Sequence, residues 1–290
     1  MSEWTIGVIG GSGLYAVDGL ENVQEIAVES PFGEPSAPLV MGEMAGHRFV
    51  FLPRHGKGHR LTPTEVNARA NIDALKRAGC TDIVAISAIG SLQEELPPGQ
   101  FVIVDQFIDR TRQRASTFFT SGMVAHVSMA DPVCPRLSDM VAGASEEAGA
   151  NVAKGGTYLA MEGPQFSSRA ESHLYRSWGA DVIGMTAMPE AKLAREAELP
   201  YALVGMVTDY DCWREHEAPV EVEAVIAQMN ANATKARAML QALAASLPDK
   251  RDASPIDTCL DYALITSPEA RDPALLAKLD AVMGRIHKKG

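Results

Sequence analysis

The 290-residue chain is poor in cysteine, in long apolar runs and in positive charge. Its four cysteines are scattered with no CxxC pair, which excludes a disulfide framework and a zinc cluster. A net charge of −11 disfavours nucleic acid as a partner, because such binding depends on neutralising phosphates. No apolar run reaches the roughly 18 residues of a membrane span, and the N-terminus does not resemble a signal peptide. We therefore expect a reduced, cytoplasmic protein that binds small molecules and no membrane.

Apolar content is ordinary at 46%, and it is distributed in a regular alternation. Short β-branched segments, typical of buried strands, are separated by helix signals. Such alternation predicts an α/β fold with a central, largely parallel sheet between two layers of helices. The predicted strands are 5–9, 48–52, 83–87, 101–105, 181–185 and 201–207.

Capping boxes and proline positions predict helices over 62–78, 168–178 and 188–197, and a longer helix over about 220–247. One apolar face of the long helix is formed by Val222, Val225, Ile226, Met229, Ala233, Ala236 and Leu240. Residues 1–247 are interpreted as one domain. Residues 248–256 resemble a linker, followed by an extension with a helix from Pro273 to about His287. We expect this extension to pack on the same domain or on a neighbouring subunit.

Two acids, Asp209 and Asp211, follow the last predicted strand. An extended backbone would place both carboxylates on one face. Neighbouring carboxylates cannot both ionise freely, so one tends to keep a proton near neutral pH. The pair is a candidate for general-acid catalysis, although an isolated D-x-D is more often a solvated turn.

Two loops directly after strands have the composition of anion sites. In the first, glycines precede Ser12, whose hydroxyl can donate to an anion beside backbone amides. In the second, Arg54 and His55 lie in the basic stretch RHGKGHR. The alternative for the first loop is a turn that binds no ligand. The alternative for the second is a basic loop in contact with solvent. His55 and His59 are four residues apart, but the intervening glycines disfavour the helix that a metal pair would need.

Three further strand or helix ends carry small, polar or aromatic residues. Ser87 and Ala88 follow one strand, Phe166 precedes a capping box, and Met185 and Thr186 join a strand to a helix. Small residues leave room for a ligand, and an exposed ring can stack on a flat one. Each alone is more often packing, but together they predict a ligand site at one edge of the sheet.

The segments GVIGGSGL, PFGEPSAPL, RHGKGH, NARANIDALKRAGC, SAIGSL, VIVDQFIDRT, EGPQFSSRAES, WGADVIGMT and TDYDCW resemble the methylthioadenosine phosphorylase branch of the purine nucleoside phosphorylase family. The resemblance extends in order from about Ile6 to Leu247. It implies a homotrimeric transferase of purine and methionine salvage, with the three-layer fold of that family. Phosphate would attack C1′ of 5′-methylthioadenosine and release adenine and 5-methylthioribose 1-phosphate. No metal or organic cofactor would be needed, and inorganic phosphate would be the co-substrate.

The resemblance also implies roles for individual residues. The phosphate site would comprise Ser12, Arg54, His55, Ser87, Ala88 and Thr186. The purine and the ribose would contact Phe166, Ser167, Met185 and Thr208, while Asp209 and Asp211 hold the adenine edge and Asp209 protonates N7. The methylthio pocket would be lined by Val222, Val225 and Ile226, with His126 contributed by the neighbouring subunit. Serine replaces the family's usual threonine at positions 12 and 87, which keeps the hydroxyl.

Three alternatives remain open at this point. A phosphorylase for 6-oxopurine nucleosides or methylthioinosine is disfavoured, since a carboxylate repels the 6-oxygen and accepts from a 6-amino group. A nicotinamide-dependent oxidoreductase built on residues 11–16 lacks the helix that must follow the glycines. A non-catalytic nucleoside-binding protein is disfavoured by the retained acids and basic loop.

Overall fold

A single 11-stranded mixed sheet forms the centre of the molecule. The structure is a computed structural model that describes residues 3–11, 14, 17–214 and 222–287, without the side chains of 222–225. Its strands are β1 (Thr5–Gly10), β2 (Glu21–Ile26), β3 (Leu39–Met44), β4 (His47–Pro53), β5 (Asp82–Ser91), β6 (Phe101–Val104), β7 (Gln106–Asp109), β8 (Val152–Lys154), β9 (Thr157–Ala160), β10 (Val182–Gly184) and β11 (Tyr201–Asp209). Its helices are α1 (Ala68–Arg77), α2 (Pro135–Glu147), α3 (Arg169–Ser177), α4 (Ala187–Glu196), α5 (Val222–Ser246), α6 (Pro273–Lys278) and α7 (Gly284–His287).

Parallel pairing aligns the strands that end near the candidate site. Strand β1 pairs in parallel with β4 and β5, and β5 pairs in parallel with β11. The carboxyl ends of these four strands therefore lie at one edge of the sheet. Strand β10 runs antiparallel to the end of β5, with Ile183 opposite Gly90, so the residues after β10 return to the same edge.

Alternate residues of the central strands pack into two different cores. In β5, Ile83 and Ala85 join a core with helices α1 and α4, while Val84 and Ile86 join a second core with α2 and α5. Two apolar faces of one sheet, each covered by helices, are the predicted three-layer α/β architecture. The predicted fold class is confirmed.

All six predicted strands are present, but β5 continues four residues beyond the predicted end. Strands β2, β3, β7, β8 and β9 were not predicted. Strand β2 is exposed along most of its length and its composition, ENVQEI, contains little of the apolar alternation that identifies a strand.

The predicted start of the first helix is wrong. Thr62 and Glu65 form half of a capping box: the Thr62 amide and hydroxyl donate to the Glu65 carboxylate at 3.0 and 2.7 Å, but the Glu65 amide donates to the Thr62 carbonyl and not to its side chain. These bonds close only a turn, because Asn67 has a non-helical backbone. The Asn67 side chain accepts from the amide of Ala70 and begins α1 instead.

The box at Ser168 does begin a helix, as predicted, and Pro189 follows a non-helical residue at the start of α4. In the long helix α5, the predicted apolar face is wrong at Ile226 and Met229. Ile226 and Met229 are 49% and 36% exposed. Asn232 is buried there instead, because its amide donates to the carbonyl of Val207 at 3.0 Å.

The C-terminal residues pack against the domain core of the same chain. Leu260, Leu279 and Met283 are buried in the core that contains α1 and α4. The predicted single helix from Pro273 is two short helices, α6 and α7. The predicted linker, residues 248–256, also contacts the domain, because Arg251 donates to buried Asp82 at 2.5 Å. No helix among the described residues is long and apolar enough to cross a membrane.

Replacing Leu279 with Ala should lower the free energy of unfolding by about 2–5 kcal/mol, because it removes a fully buried side chain from the core. Urea unfolding measures the loss. Leu174→Ala is the matched control, since Leu174 is 45% exposed and should change stability by about 0.5 kcal/mol or less. Equal small losses for both variants would contradict the packing of the C-terminal residues on this core.

Candidate active site

The end of β5 and the turn after β10 bring two hydroxyl groups together. The Ser87 and Thr186 hydroxyl oxygens are 3.0 Å apart, and Thr186 immediately precedes α4. The start of a helix favours negative charge, because its amides are not all paired within the helix. Two adjacent hydroxyls at a helix start are therefore suited to an oxyanion such as phosphate.

Arg54 contacts the carbonyl of Ile86, the residue before Ser87, and is held by an acid that the sequence analysis did not identify. Its Nε and Nη2 donate to the two carboxylate oxygens of Glu190, at 2.9 and 3.1 Å, and both side chains are buried. Nη1 and Nη2 also donate to the carbonyls of Ile86 and Ile9. Tyr201 donates to Glu190 at 2.9 Å.

This arrangement changes the expected role of Arg54. A guanidinium has five N–H groups, and four of those of Arg54 donate to described residues, which leaves one on Nη1 without an acceptor among them. The bidentate contact of the guanidinium is made with the carboxylate of Glu190 and not with a bound anion. Burial lowers the pKa of Arg54, but the charge and hydrogen bonds of Glu190, together with smaller contributions from Tyr201 and Tyr158, outweigh burial and raise the pKa overall. Glu190 could be recognised in the sequence only as an ordinary acid in the first turn of a helix.

His55 is neutral near pH 7. Burial and the charge of Arg54 lower its pKa to about 4. Its Nδ1 is 2.9 Å from the carbonyl of Leu61, so Nδ1 carries the proton and Nε2 keeps a lone pair. The ring stacks on His59, with centroids 4.2 Å apart. Among the described residues no group of three acidic, cysteine or histidine side chains could hold a metal.

The two acids are close together, but for a different reason from the one predicted. Strand β11 ends at Asp209, and Asp211 has a left-handed backbone with φ 52°. The amide of Asp211 donates to Asp209 Oδ1 at 2.8 Å, so a turn, and not an extended strand, pairs them. The Thr208 hydroxyl donates to the other oxygen of Asp209 at 2.7 Å.

Burial raises the pKa of both carboxyls. For Asp211 the nearby negative charge of Asp209 adds to this effect. Asp211 Oδ2 is buried and has no hydrogen-bond partner among the described residues. Both carboxylate oxygens of Asp209 therefore accept a hydrogen bond, whereas Oδ2 of Asp211 is an acceptor without a partner among the described residues.

A cavity of about 100 Å³ joins the acids to residues from three other segments. Six predicted site residues line it, together with glycines and apolar side chains. The predicted residues in its lining are Ala88, Phe166, Met185, Thr208, Asp209 and Asp211. Gly90 lies between them, and a Cβ there would be 3.1 Å from Asp209 Oδ1. Phe166 is 52% exposed and presents its ring to a second cavity of about 380 Å³.

The remaining predicted residues lie elsewhere or are not described. Ser167 is buried beside the cavity, with its hydroxyl 3.7 Å from the sulfur of Met161. His126 is exposed, and its amide donates to the carbonyl of Ala263. Ser12 lies outside the described residues, as do the side chains of Val222 and Val225. The exposed Ile226 is not part of either cavity lining.

Comparison with known proteins identifies the class. Residues 5–245 match the family model described as the phosphorylase superfamily, and the chain belongs to that superfamily.

Its similarity is to S-methyl-5′-thioadenosine phosphorylases. The curated enzyme of that name from Bradyrhizobium diazoefficiens is 58% identical over 99% of both chains. A crystal structure of a methylthioadenosine phosphorylase from an antarctic soil metagenomic library matches with TM-score 0.92 and 48% identity, over 97% of this chain and 99% of that one. A methylthioadenosine phosphorylase of Schistosoma mansoni in complex with adenine matches with TM-score 0.78 and 36% identity, over 97% and 98%.

Replacing Glu190 with Ala should lower the free energy of unfolding by about 3–5 kcal/mol, because it leaves the buried guanidinium of Arg54 without its carboxylate. Chemical denaturation measures the loss. The control is Glu25→Ala, which breaks an exposed 2.7 Å ion pair with Lys57 and should cost about 1 kcal/mol or less. If Glu190→Ala were as stable as the control variant, the buried pair would not be a structural requirement.

Proposed function

We propose that the protein catalyses the phosphate-dependent cleavage of 5′-methylthioadenosine to adenine and 5-methylthio-α-D-ribose 1-phosphate. The observation that carries this proposal is the pair of half-buried acids in a cavity that adjoins the Ser87–Thr186–Arg54 cluster. One end of the site is suited to a purine edge and the other to an oxyanion. The names of relatives that are similar over nearly their whole length agree with this reaction.

The acid pair would recognise and activate the base. Adenine is a poor leaving anion, but protonation at N7 makes it a neutral leaving group. We assign that proton to Asp209, whose raised pKa favours the protonated form. The unbonded Oδ2 of Asp211 would accept from the 6-amino group. Phe166, with Ser167 nearby, would pack against the ring, and Thr208 would orient Asp209.

Phosphate would be bound mainly by neutral donors. The hydroxyls of Ser87 and Thr186, the amide of Ala88, the start of α4 and one N–H of Arg54 would hold its oxygens, and we add the Ser12 hydroxyl by motif. Nε2 of neutral His55 would accept from the remaining O–H of the phosphate dianion. A phosphate fixed in this way can attack C1′ as positive charge develops on the ribose.

The ribose and its 5′ group would lie between Met185 and a neighbouring subunit. We propose that Val222, Val225 and Ile226 line an apolar methylthio pocket, and that His126 enters it from the next copy in a homotrimer. The exposure of both Ile226 and His126 leaves them available to such contacts. A pocket without hydrogen-bond donors favours an apolar 5′ substituent over a hydroxyl.

The proposed reaction requires no metal or organic cofactor. Protonation supplies the leaving group, phosphate supplies the nucleophile, and no electrons are transferred to an acceptor. The co-substrate is inorganic phosphate. We also propose a cytoplasmic location, in which the four cysteine thiols, which form no disulfide in the structure, stay reduced.

The first test is adenine release from methylthioadenosine with and without inorganic phosphate. We expect release only with phosphate, together with a stoichiometric amount of the sugar phosphate. Release without phosphate would indicate hydrolysis and contradict the assigned phosphate site. The absence of release under either condition would reject methylthioadenosine as the substrate.

Replacing Asp209 with Ala should reduce kcat by about 10² or more, which is the typical loss when a general acid is removed. Steady-state kinetics at saturating phosphate measure the change, and circular dichroism checks the fold. Asp131→Ala, which changes an exposed acid outside both cavities of the site, serves as the control and should keep the wild-type kcat. A kcat near the wild-type value in Asp209→Ala would exclude Asp209 as the acid.

A further inference from the structure

Arg114 lies behind the candidate site and uses its whole guanidinium within the protein. Its side chain is 4% exposed. Nε donates to the carboxylate of Glu162 at 3.0 Å. Nη1 donates to the carbonyls of Met185 and Met188 at 2.5 and 2.7 Å. Nη2 donates to the carbonyls of Glu162 and Met161 at 2.7 and 3.4 Å. All five N–H groups have an acceptor, so none is left for a ligand.

The acceptors belong to two segments that are distant in sequence and adjacent in the site. Met161 and Glu162 follow β9 and lead to Phe166, which lines the cavity. Met185 and Met188 flank Thr186, which contacts Ser87. One side chain therefore joins the segment that would hold the purine to the segment that would hold ribose and phosphate.

Glu162 extends this junction to Thr64 and to the residues directly before Arg114. One carboxylate oxygen accepts from the Thr64 hydroxyl at 2.6 Å, and the other accepts from the amides of Arg112 and Gln113 at 2.5 and 3.2 Å. Burial raises the pKa of Glu162, but these bonds and the one from Arg114 outweigh it and lower the pKa to about 2. Glu162 is therefore ionised at any working pH and keeps its bonds.

The packing of Gly163 against Met185 further fixes these two segments relative to each other. Gly163 has φ 65°, and a Cβ at this position would be 2.5 Å from the sulfur of Met185. The Met185 side chain, part of the cavity lining, thus lies directly against the segment that Arg114 holds. A shift of either segment would move both the lining and the hydroxyl of Thr186.

We propose that Arg114, together with Glu162, is a positioning residue that sets the distance between the purine and phosphate parts of the site. It touches no reacting atom and acts through the backbone of residues 161–162 and 185–188. This inference rests on the proposed function for its effect on turnover, but the coupling itself is a property of the fold.

The first test compares Arg114→Met with wild type and with Arg77→Met. Arg77 is a matched control, because it also makes multiple ion-pair contacts, with Asp73 and Asp280, but on α1 and away from the site. Hydrogen exchange measures the backbone of residues 161–166 and 185–188. We expect faster exchange in both segments for Arg114→Met and no change there for Arg77→Met. Equal exchange in the two variants would overturn the proposal.

Kinetics provide the second measurement. In Arg114→Met we expect kcat/KM to fall about tenfold to a hundredfold for nucleoside and for phosphate alike, since a displacement of about 1 Å has effects of this size. Arg77→Met, assayed below its unfolding temperature, should keep both values. Unchanged values in folded Arg114→Met would contradict a positioning role. Arg114→Lys keeps the charge with fewer donors and replaces Arg114→Met if that variant does not fold.

A double variant tests whether Arg114 and Glu162 act through one shared network or through two independent effects. Glu162→Gln places an amide N–H₂ among donors and should lower kcat/KM as well. Because both residues act through the same junction, the loss in Arg114→Met/Glu162→Gln should be smaller than the product of the single losses. A loss equal to the product would reject the shared network. If wild type cleaves no nucleoside with phosphate, the proposed function fails, and hydrogen exchange still decides the coupling.

Discussion

The pairing of β5 with three other strands is the constraint on which the rest of the structure depends. Its first residues pair with β1, residues 83–90 pair with β11, and its end pairs with β10 in the opposite direction. Ser87, Ala88 and Gly90 lie along the pairing with β11, and Gly90 is also opposite Ile183 of β10. Asp209, Asp211 and Met185 line one cavity only because β11 and β10, the strands that end at or just before them, both pair with β5.

Buried guanidiniums organise the site without serving primarily as anion ligands. Arg54 is bound to Glu190 through both arms of its fork, and Arg114 uses all five donors on carbonyls and Glu162. Both ions are paired and hydrogen-bonded, as burial requires. In the proposed site, hydroxyls, amides and a helix start are therefore the main donors left for an anion. Such donors are fixed by the backbone and need little rearrangement when the ligand arrives.

Several features could be predicted because they depend on local pattern. The apolar segments before Ser87 and Asp209 identified β5 and β11, and the Ser168 box identified the start of α3. The same kind of signal failed at Thr62, where the box closes a turn and Asn67 begins the helix. It failed again on α5, where Ile226 is exposed and Asn232 is buried. In both places tertiary contacts decided between locally similar alternatives.

The sequence by itself determined the α/β class, the order of the main elements and the residue types that could bind a purine and an oxyanion. These follow from periodicity and side-chain chemistry, which are local properties of the chain. Only the tertiary structure decided the partners of Arg54 and Arg114, the turn that pairs Asp209 with Asp211, and the burial that raises the pKa of both carboxyls. The physical reason is that burial and ion pairing depend on segments more than a hundred residues apart, such as those of Arg54 and Glu190, and sequence spacing contains no measure of that distance.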